Sequence, residues 1–339
     1  MKLIYILVDY RGQFYSSVRS STIGYDLSKL KESLIELGYE CQILSFKEVI
    51  GFTKIKDSIF IYQSSEDREL FYKGYIQDIL LYIKSKGGVV IPDFDCFNAH
   101  HNKLYQELIL KSEKFEKVKV LKSNLFGTFE ELQATSKGTF SYPCVVKGAS
   151  GSTSKSVYLA SNHKELLERA SLVSKTFNIY DFIRFSIKKL IKKGYIPESL
   201  HRKKFIIQEF IPGLEGDFKV LVFGNKYYVL QRFNRKNDFR ASGSGKFKYP
   251  DFTPSNILDA AKEVFERFES PCISLDLALD NSSNNVFIIE LQFLMFGTIT
   301  LEKSTGYYFY DTDSLQWVWK EEKPELEKTY AIALNKFLK

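Results

Sequence analysis

The first 95 residues alternate apolar runs with segments of helical spacing, and this order leaves few folds open to the chain. An apolar run at 2–9 is followed by leucines at helical spacing over 24–37, and Gly38 is suited to end that helix. The alternation continues with predicted strands at 40–46, 58–63 and 89–91 and a predicted helix at 75–86. Strands that alternate with helices form a mostly parallel sheet with both faces covered. We therefore predict an N-terminal α/β domain over residues 1–95.

After this domain the sequence pattern changes from alternating strands and helices to mostly strands, and we predict two further parts of the fold there. Residues 93–102 are polar and predict a turn, and strand patterns dominate from the middle of the chain onward. We expect a linker and a central subdomain at 96–205, and a C-terminal subdomain at 206–339. The dipeptide Gly224-Asn225 predicts a hairpin in the last part, because it lies between two alternating runs. The expected fold class is thus α/β, with an α+β C-terminal part.

A second predicted hairpin carries acids inside its apolar strands. It joins 273–279 to 285–292 and contains Asp276, Glu290 and Gln292. Side chains two apart on a strand share a face, and a hairpin can bring Asp276 opposite the other two. Oxygen ligands on one sheet face suit Mg²⁺. The alternative is a solvated polar face of the hairpin.

The net charge of +7 is concentrated in one insertion, residues 184–204. Eight basic residues and a single acid, Glu198, lie there, so the remainder of the chain is neutral. Lys188-Lys189 and Lys192-Lys193, interleaved with apolar residues, predict a short amphipathic helix. The insertion is consistent with a solvated face, with attraction of an anionic substrate, or with contact to nucleic acid or an anionic membrane. Among the functional alternatives we expect an anionic substrate rather than nucleic acid.

The cysteines and the short apolar runs exclude several classes of protein. Cys41, Cys96, Cys144 and Cys272 are scattered, which fits neither a zinc site nor a disulfide framework. No run approaches the ~20 apolar residues that cross a bilayer, and the apolar stretch at the start is too short for a signal-peptide core. We therefore expect a cytoplasmic protein with reduced thiols and no membrane span. A homodimer is the default expectation for its assembly.

Two loops and two arginines suit the recognition of a nucleotide, one loop and the arginines through phosphate and the other loop through an adenine edge. Lys147 ends an apolar strand and is followed by small residues at 148–154, whose amides and hydroxyls can donate to phosphate oxygens. A second strand, 207–211, runs into a Pro-Gly turn and offers backbone groups there. Arg232 and Arg240 precede a Ser/Gly run, and arginine is a planar donor for phosphate or carboxylate oxygens. Each feature alone is also typical of a solvated loop.

In this order and spacing, the features over residues 98–300 resemble the ATP-grasp superfamily. The likeness is to the branch of the ribosomal-protein glutamate ligase and glutathione synthetase. It implies a pre-ATP-grasp domain with a parallel sheet, followed by an ATP-grasp fold with ATP between two subdomains. Lys219 and Gln292 stand where the family usually has arginine and asparagine, which marks a divergent member.

The resemblance implies a nucleotide site and a metal site. The residues that match the family's adenine, ribose and phosphate positions are Lys103, Lys147, Ser150, Gly151, Ser152, Glu209, Ile211 and Asp217. The catalytic arginines that would meet the γ-phosphate and the acyl phosphate are Arg232 and Arg240. The expected magnesium ligands are Asp276, Glu290 and Gln292.

The reaction that the resemblance implies is the ATP-dependent joining of a carboxylate to an amine. ATP phosphorylates the carboxylate, the amine attacks the acyl phosphate, and ADP and phosphate leave. ATP and Mg²⁺ are the expected cofactors, and an anionic small-molecule or peptide carboxylate and an amine are the expected partners. Two alternatives stay open: a kinase on the same fold that phosphorylates a hydroxyl, and an inactive nucleotide-binding regulatory protein.

Overall fold

The computed structural model of the chain describes residues 2–14, 24–151, 156–236 and 238–339. The strands in these ranges are β1 (Leu3–Val8), β2 (Glu40–Ser45), β3 (Ile59–Ile61), β4 (Val89–Ile91), β5 (Lys119–Val120), β6 (Ser123–Phe126), β7 (Cys144–Gly148), β8 (Val157–Ala160), β9 (Phe205–Glu209), β10 (Gly216–Phe223), β11 (Lys226–Phe233), β12 (Phe247–Lys248), β13 (Cys272–Asp280), β14 (Asn285–Gln292), β15 (Gly306–Asp311) and β16 (Gln316–Glu321). The helices are α1 (Leu27–Glu36), α2 (Phe71–Ser85), α3 (Phe94–Ala99), α4 (Lys103–Ser112), α5 (Phe129–Gln133), α6 (His163–Ser174), α7 (Ile179–Ile191), α8 (Ser255–Phe265), α9 (Ile299–Glu302) and α10 (Leu326–Phe337).

These elements form two compact units. Unit 1 consists of Met1–His100, Glu113–Lys119 and Glu215–Lys339, and unit 2 consists of His101–Ser112 and Val120–Leu214. The beginning and the last third of the chain therefore share one unit, and most of the middle forms the other. The predicted division into three domains stays a prediction, because the two compact units do not test the boundaries between subdomains.

Unit 1 begins with the predicted parallel sheet. Its strands lie in the order β2-β1-β3-β4, and every neighbouring pair is parallel. Asp26 caps the N-terminus of helix α1, and its carboxylate accepts hydrogen bonds from the amides of Ser28 and Lys29. Its residues Leu30 and Leu34 are fully buried, as the helical spacing predicts. The predicted α/β fold class is confirmed.

A larger antiparallel sheet belongs to the same unit. Its strands include the series β16-β15-β11-β10-β13-β14, and β12 pairs with β11. Phe223 pairs directly with Lys226, so the turn at Gly224-Asn225 is two residues long, as the dipeptide predicts. Strands β13 and β14 form the second predicted hairpin, with a bulge beside Asp276.

One apolar cluster joins the two sheets of unit 1. It contains Ile4 and Leu30 from the N-terminal part and Tyr228 from β11. Helix α10 contributes Tyr330 and Leu334 to the same cluster. Residues from both ends of the chain therefore make a single core.

Unit 2 contains a four-stranded antiparallel sheet, ordered β6-β9-β7-β8. One face packs against α5 and α6 through buried side chains that include Leu132, Val146, Leu166, Phe205 and Ile207. Side chains alternate along a strand, so Lys147 and Gln208 lie on the opposite face. The sheet therefore has an apolar face and a face that carries polar groups.

Residues 93–102 do not form the predicted turn, because Phe94–Ala99 is a helix, α3. Asp93 caps it by accepting a hydrogen bond from the amide of Asp95 at 3.0 Å. The buried side chains of Cys96 and Phe97 anchor it. A helix of six residues is too short to show a helical period in the sequence, so capping and burial decide its structure.

Helices α7 and α6 also differ from the sequence prediction. Helix α7 spans Ile179–Ile191, so it begins well before the lysine pairs that predicted it, and Asn178 caps it. Helix α6 follows Asn162, whose side chain accepts from the amide of Glu165 at 3.0 Å, and it was not predicted. Within the described ranges, no helix has both the length and the apolar character that crossing a membrane requires.

Candidate functional site

Seven polar side chains of unit 1 share one face of its antiparallel sheet. Across neighbouring strands the register pairs Asp217 with Arg232, Lys219 with Asp276, Asp276 with Glu290, and Ser274 with Gln292. Directly paired residues, and residues two apart on one strand, point to the same side of a sheet. We call these seven side chains the polar face.

Arg232 joins two carboxylates of the polar face. Its Nε and Nη2 donate to the two carboxylate oxygens of Asp217, at 2.6 and 2.7 Å, in a bidentate pair. Its Nη2 also lies 2.6 Å from Oδ2 of Asp276. The side chains of Arg232 and Asp217 are only 14% and 9% exposed, so water screens their attraction weakly. One arginine on β11 therefore links β10 and β13.

These three charges alter one another's protonation. Burial raises the pKa of Asp217 above its ordinary value, and the charge of Asp276 adds to this rise, whereas Arg232 acts against it. Burial lowers the pKa of Arg232, but the two carboxylates raise it by more, so the net shift is upward. The guanidinium therefore stays charged beside both acids.

Lys219 and Ser274 belong to the polar face but were not predicted as site residues. The Nζ of Lys219 donates to Oγ of Ser274 at 2.8 Å and lies 3.7 Å from Oδ1 of Asp276. The sequence holds a signal for Lys219, because it lies two residues after Asp217 in an alternating strand. Ser274 lies opposite Gln292 in the predicted hairpin, but its contact with Lys219 depends on the pairing of β10 with β13, a register between segments distant in sequence.

The oxygen atoms of the polar face suit a divalent cation. Asp276, Glu290 and Gln292 offer carboxylate and amide oxygens, the ligand types that Mg²⁺ prefers. The Nε2 of Gln292 lies 3.5 Å from Oε1 of Glu290, so these two side chains are adjacent. The polar face holds three carboxylates against one arginine and one lysine, which leaves one formal negative charge. The donor set and its charge both fit the Mg²⁺ that the resemblance implies.

Arg240 lies on the loop that follows β11, where Asp238 holds its side chain. Its Nε and Nη2 donate to Asp238 at 2.9 and 2.6 Å. On the same loop, Arg235 donates to the carbonyls of Ser242 and Gly243 at 3.2 and 3.1 Å. The contacts of Arg235 order the Ser/Gly run that follows Arg240.

In unit 2, Lys147 is the first member of a chain of hydrogen bonds that passes through two buried side chains. Its Nζ donates to Oε1 of Gln208 at 2.5 Å, and Nε2 of Gln208 donates to Glu107 at 2.9 Å. The other carboxylate oxygen of Glu107 accepts from Oγ of Ser123 at 2.6 Å. Gln208 and Glu107 are buried, so each bond is costly to break. Neither residue was predicted, although a glutamine inside an apolar strand was a visible signal.

Lys103 lies against the small-residue loop. Its Nζ donates to the carbonyl of Gly151 at 3.2 Å, and its amide donates to the carbonyl of Ala149 at 2.8 Å. Gly151 has a φ of +119°, which glycine adopts without strain. Ser150 is exposed, and Ser152 lies outside the described residues.

Glu209 ends β9 and is fixed by the backbone of Lys122. The amide of Glu209 donates to the carbonyl of Lys122 at 2.9 Å, and its Oε1 accepts from the amide of Lys122 at 2.7 Å. Ile211, half-buried, follows two residues later. The predicted adenine-binding backbone thus lies where the chain leaves β9.

The predicted site residues fall into two groups, one in each unit. Unit 2 holds Lys103, Lys147, Ser150, Gly151, Glu209 and Ile211. Unit 1 holds Asp217, Arg232, Arg240, Asp276, Glu290 and Gln292, of which all but Arg240 belong to the polar face.

Comparison with known proteins identifies the fold. No protein-family model matches the sequence, and no curated protein matches it. Solved structures of ATP-grasp proteins match over almost the whole chain. The chain has the ATP-grasp fold, as the resemblance in its motifs predicts.

Three particular structures illustrate this similarity. The RimK domain protein ATP-grasp from Sphaerobacter thermophilus is 11% identical, with 99% of each chain covered and a TM-score of 0.52. D-cycloserine synthetase DcsG is 14% identical, with 99% of this chain and 100% of that chain covered and a TM-score of 0.54. A RiPP-associated ATP-grasp ligase from Chryseobacterium gregarium, in complex with ADP and a leader and core peptide, is 12% identical. That match covers 98% of this chain and 96% of the other, with a TM-score of 0.52.

Proposed function

We propose that this chain is an ATP- and Mg²⁺-dependent carboxylate–amine ligase that forms an amide through an acyl phosphate. The observation that carries the proposal is the polar face, which sets Arg232 beside Asp217 and Asp276 on adjacent strands of an ATP-grasp fold. Phosphoryl transfer depends on positioning and charge neutralisation more than on covalent participation by the protein. Fixed cations and oxygen ligands on one rigid sheet are suited to both tasks.

ATP is the proposed phosphoryl donor. One structure of similar fold is a complex with ADP, which supports nucleotide use. We assign Lys147 to the adenine and α-phosphate, Lys103 and the loop at Ser150 and Gly151 to the phosphates, and the backbone of Glu209 and Ile211 to the adenine edge. Ser152 and Asp217 are assigned to the phosphate loop and to the ribose. The bidentate pair with Arg232 still leaves each oxygen of Asp217 a second lone pair for a ribose hydroxyl.

Mg²⁺ would be held by Asp276, Glu290 and Gln292, and when bound it neutralises charge on phosphate oxygens. Arg232 keeps Asp276 oriented through their 2.6 Å contact. We assign Arg232 and Arg240 to the oxygens of the transferred phosphoryl group, because guanidinium matches their geometry. The substrate carboxylate supplies the nucleophile, so the proposed reaction requires none from the protein.

The proposed substrates are a carboxylate, either a small molecule or a peptide, and an amine. One structure of similar fold is a D-cycloserine synthetase, and another holds a leader and a core peptide, so both classes of substrate have support. The basic segment at 184–204 favours an anionic substrate through its field.

The test is ADP release from Mg-ATP with pooled carboxylates, with and without hydroxylamine as the amine. An acyl phosphate acylates hydroxylamine to a hydroxamate and releases phosphate, whereas the phosphate ester that a kinase makes does not. We expect hydroxamate to form with the wild type, and at least about tenfold less with Glu290→Gln or Arg240→Ala. Glu321→Gln, an exposed acid on β16, is the matched charge control and should keep full activity.

The other outcomes identify the alternatives. A stable phosphorylated product that forms without any amine would replace the ligase by a kinase. ATP binding in calorimetry without turnover in any pool would favour a regulatory nucleotide-binding protein. Absence of ATP binding would contradict the proposal as a whole.

A further inference from the structure

Helix α7 turns its apolar side chains toward solvent. These side chains recur at helical spacing along one stripe and are between 48% and 87% exposed: Ile179, Phe182, Ile183, Ile187, Leu190 and Ile191. No residue of α7 is buried. An amphipathic helix of a globular unit normally buries such a stripe against its own unit. Within the described part of unit 2, no side chain covers this one. We call it the apolar stripe.

The least exposed side of α7 is the side opposite the apolar stripe. Asp181, Phe185 and Lys188 lie there, and all three are half-buried. Lys188 is also in contact with Tyr195, whose ring centroid lies 5.5 Å from its Nζ. The helix therefore turns Phe185 and two charged residues inward, and the apolar stripe faces outward.

Basic side chains border the apolar stripe on both edges. At 100° per residue, Lys189 follows one edge and Arg184 follows the other, and Lys192 and Lys193 lie just beyond the last turn. All four are exposed. The segment 184–204 that contains them carries the entire net charge of the chain.

We propose that α7 is a membrane-surface helix whose apolar stripe enters the interface of an anionic bilayer. A large apolar face, a basic polar face and bulky aliphatic and aromatic side chains are the properties of helices that lie in this interface. Lysine and arginine at both edges can extend along the stripe and reach lipid phosphates on either side. The protein would then be held at the membrane without spanning it.

Other occupants match the surface less well. A second copy of the chain would bring two positively charged stripe edges together, and like charges repel. Nucleic acid would satisfy the basic edges but would leave six apolar side chains facing a phosphate backbone. An anionic bilayer complements both the stripe and its edges. An acidic peptide is the remaining alternative, and the experiment distinguishes it.

The test is cosedimentation of the full chain with vesicles, without nucleotide, so that the result does not depend on the proposed ligase activity. We expect binding to phosphatidylcholine vesicles that contain phosphatidylglycerol, little binding to phosphatidylcholine alone, and weaker binding at high salt. The variant Ile187→Gln/Leu190→Gln should lose about tenfold or more of its affinity. Lys189→Gln/Lys193→Gln should lose a similar factor.

Two matched controls distinguish an effect of the apolar stripe and its basic edges from the effect of removing any exposed apolar or charged side chains. Ile35→Gln/Leu81→Gln removes apolar side chains that are 50% and 44% exposed on helices of unit 1. Lys137→Gln/Lys164→Gln removes two exposed charges elsewhere in unit 2. Both controls should bind vesicles like the wild type. Thermal unfolding should be alike for all variants, because every altered side chain is exposed.

Three results would overturn the proposal. The first is absence of binding to either kind of vesicle. The second is full binding by Ile187→Gln/Leu190→Gln, since the apolar stripe would then play no part. The third is capture of an acidic amphipathic peptide by the wild-type chain together with failure to bind vesicles, which would identify a peptide partner instead.

Discussion

Arg232 donates two parallel hydrogen bonds to Asp217 across neighbouring strands, at 2.6 and 2.7 Å. The same guanidinium contacts Asp276 at 2.6 Å. We proposed that Asp217 binds the nucleotide and that Asp276 binds the metal, so one arginine contacts both of these binding residues within unit 1. A change at Arg232 should therefore affect stability as well as activity.

Replacing Arg232 by methionine should destabilise the protein by about 3–5 kcal/mol at neutral pH. The variant keeps much of the volume but leaves two buried carboxylates without their guanidinium. The measurement is urea unfolding. Arg202→Met is the control, because its partner Glu198 is 67% exposed and the pair is expected to contribute less than about 1 kcal/mol. Equal losses in the two variants would contradict a buried ion pair.

The contribution of Asp217 to stability should fall as the pH rises above the ordinary aspartate pKa of ~3.9. Burial, with the charge of Asp276, raises the pKa of Asp217, so the folded state keeps a proton that the unfolded chain has already released. The folded state then binds more protons than the unfolded state, and each rise in pH favours unfolding until Asp217 ionises. Urea unfolding from about pH 4 to about pH 7 measures this, with Asp217→Asn lacking the contribution. A wild type that gains stability relative to Asp217→Asn over this range would oppose the inferred direction.

Alanine at Gly216 should destabilise the protein by about 1–3 kcal/mol or more, because overpacking forces neighbouring atoms apart. A Cβ at Gly216 would lie 1.9 Å from the carbonyl oxygen of Arg232, so β10 and β11 would have to separate beside the Asp217 pair. Gly74→Ala provides the matched comparison within α2. No atom lies within 4 Å of its added Cβ, so it should stabilise the helix by about 0.5–1 kcal/mol. Thermal unfolding should shift in opposite directions for the two variants.

Gln208→Leu should weaken ATP binding by about tenfold and lower stability by about 1–3 kcal/mol. It removes the amide that joins Lys147 to the buried Glu107, so the lysine loses its orienting partner. Calorimetry with ATP and urea unfolding measure the two effects. Gln133→Leu, at an exposed position of α5, should change neither. Unchanged ATP affinity in Gln208→Leu would show that Lys147 does not depend on this network.

One thiol of the native protein should react quickly with a disulfide reagent. Cys41 is partly exposed, whereas Cys96, Cys144 and Cys272 are buried. Burial raises the pKa of both Cys41 and Cys144, to about 11 for Cys144, whereas the charge of Lys31 acts against the rise at Cys41. Titration of native and urea-unfolded protein counts the reactive groups, and Cys41→Ser should abolish the fast phase. Two or more fast thiols would contradict the described burial.

Local patterns in the sequence predicted a large part of the fold. Alternating strands and helices predicted the parallel sheet, and the Gly224-Asn225 turn predicted the tight hairpin. The period of two predicted that Glu290 and Gln292 share a face, and the hairpin placed Asp276 opposite Glu290. In each case the contacts are short in sequence or repeat regularly along it.

Contacts between distant segments could not be predicted in this way. Lys219 meets Ser274 and Asp276 only because β10 pairs with β13, across about fifty residues of chain. Gln208 meets Glu107 at a separation of 101 residues, and no local pattern encodes that meeting. Helix α3 was missed for a different reason, since its cap and its burial act on too few residues to show a period.

Because unit 1 combines both ends of the chain, its core cannot be completed until synthesis is nearly finished. The ring of Tyr330 lies 5.3 Å from that of Tyr25, and the hydroxyl of Tyr39 donates to Asn335 at 3.0 Å. At a synthesis rate of ~5–20 residues per second, the roughly 300 residues between these partners take about 15–60 seconds to emerge. During that interval the N-terminal segment is already synthesised, but the core of unit 1 lacks the residues of α10. Unit 2, whose segments His101–Ser112 and Val120–Leu214 lie close together in the chain, is expected to mature before the beginning of the chain does.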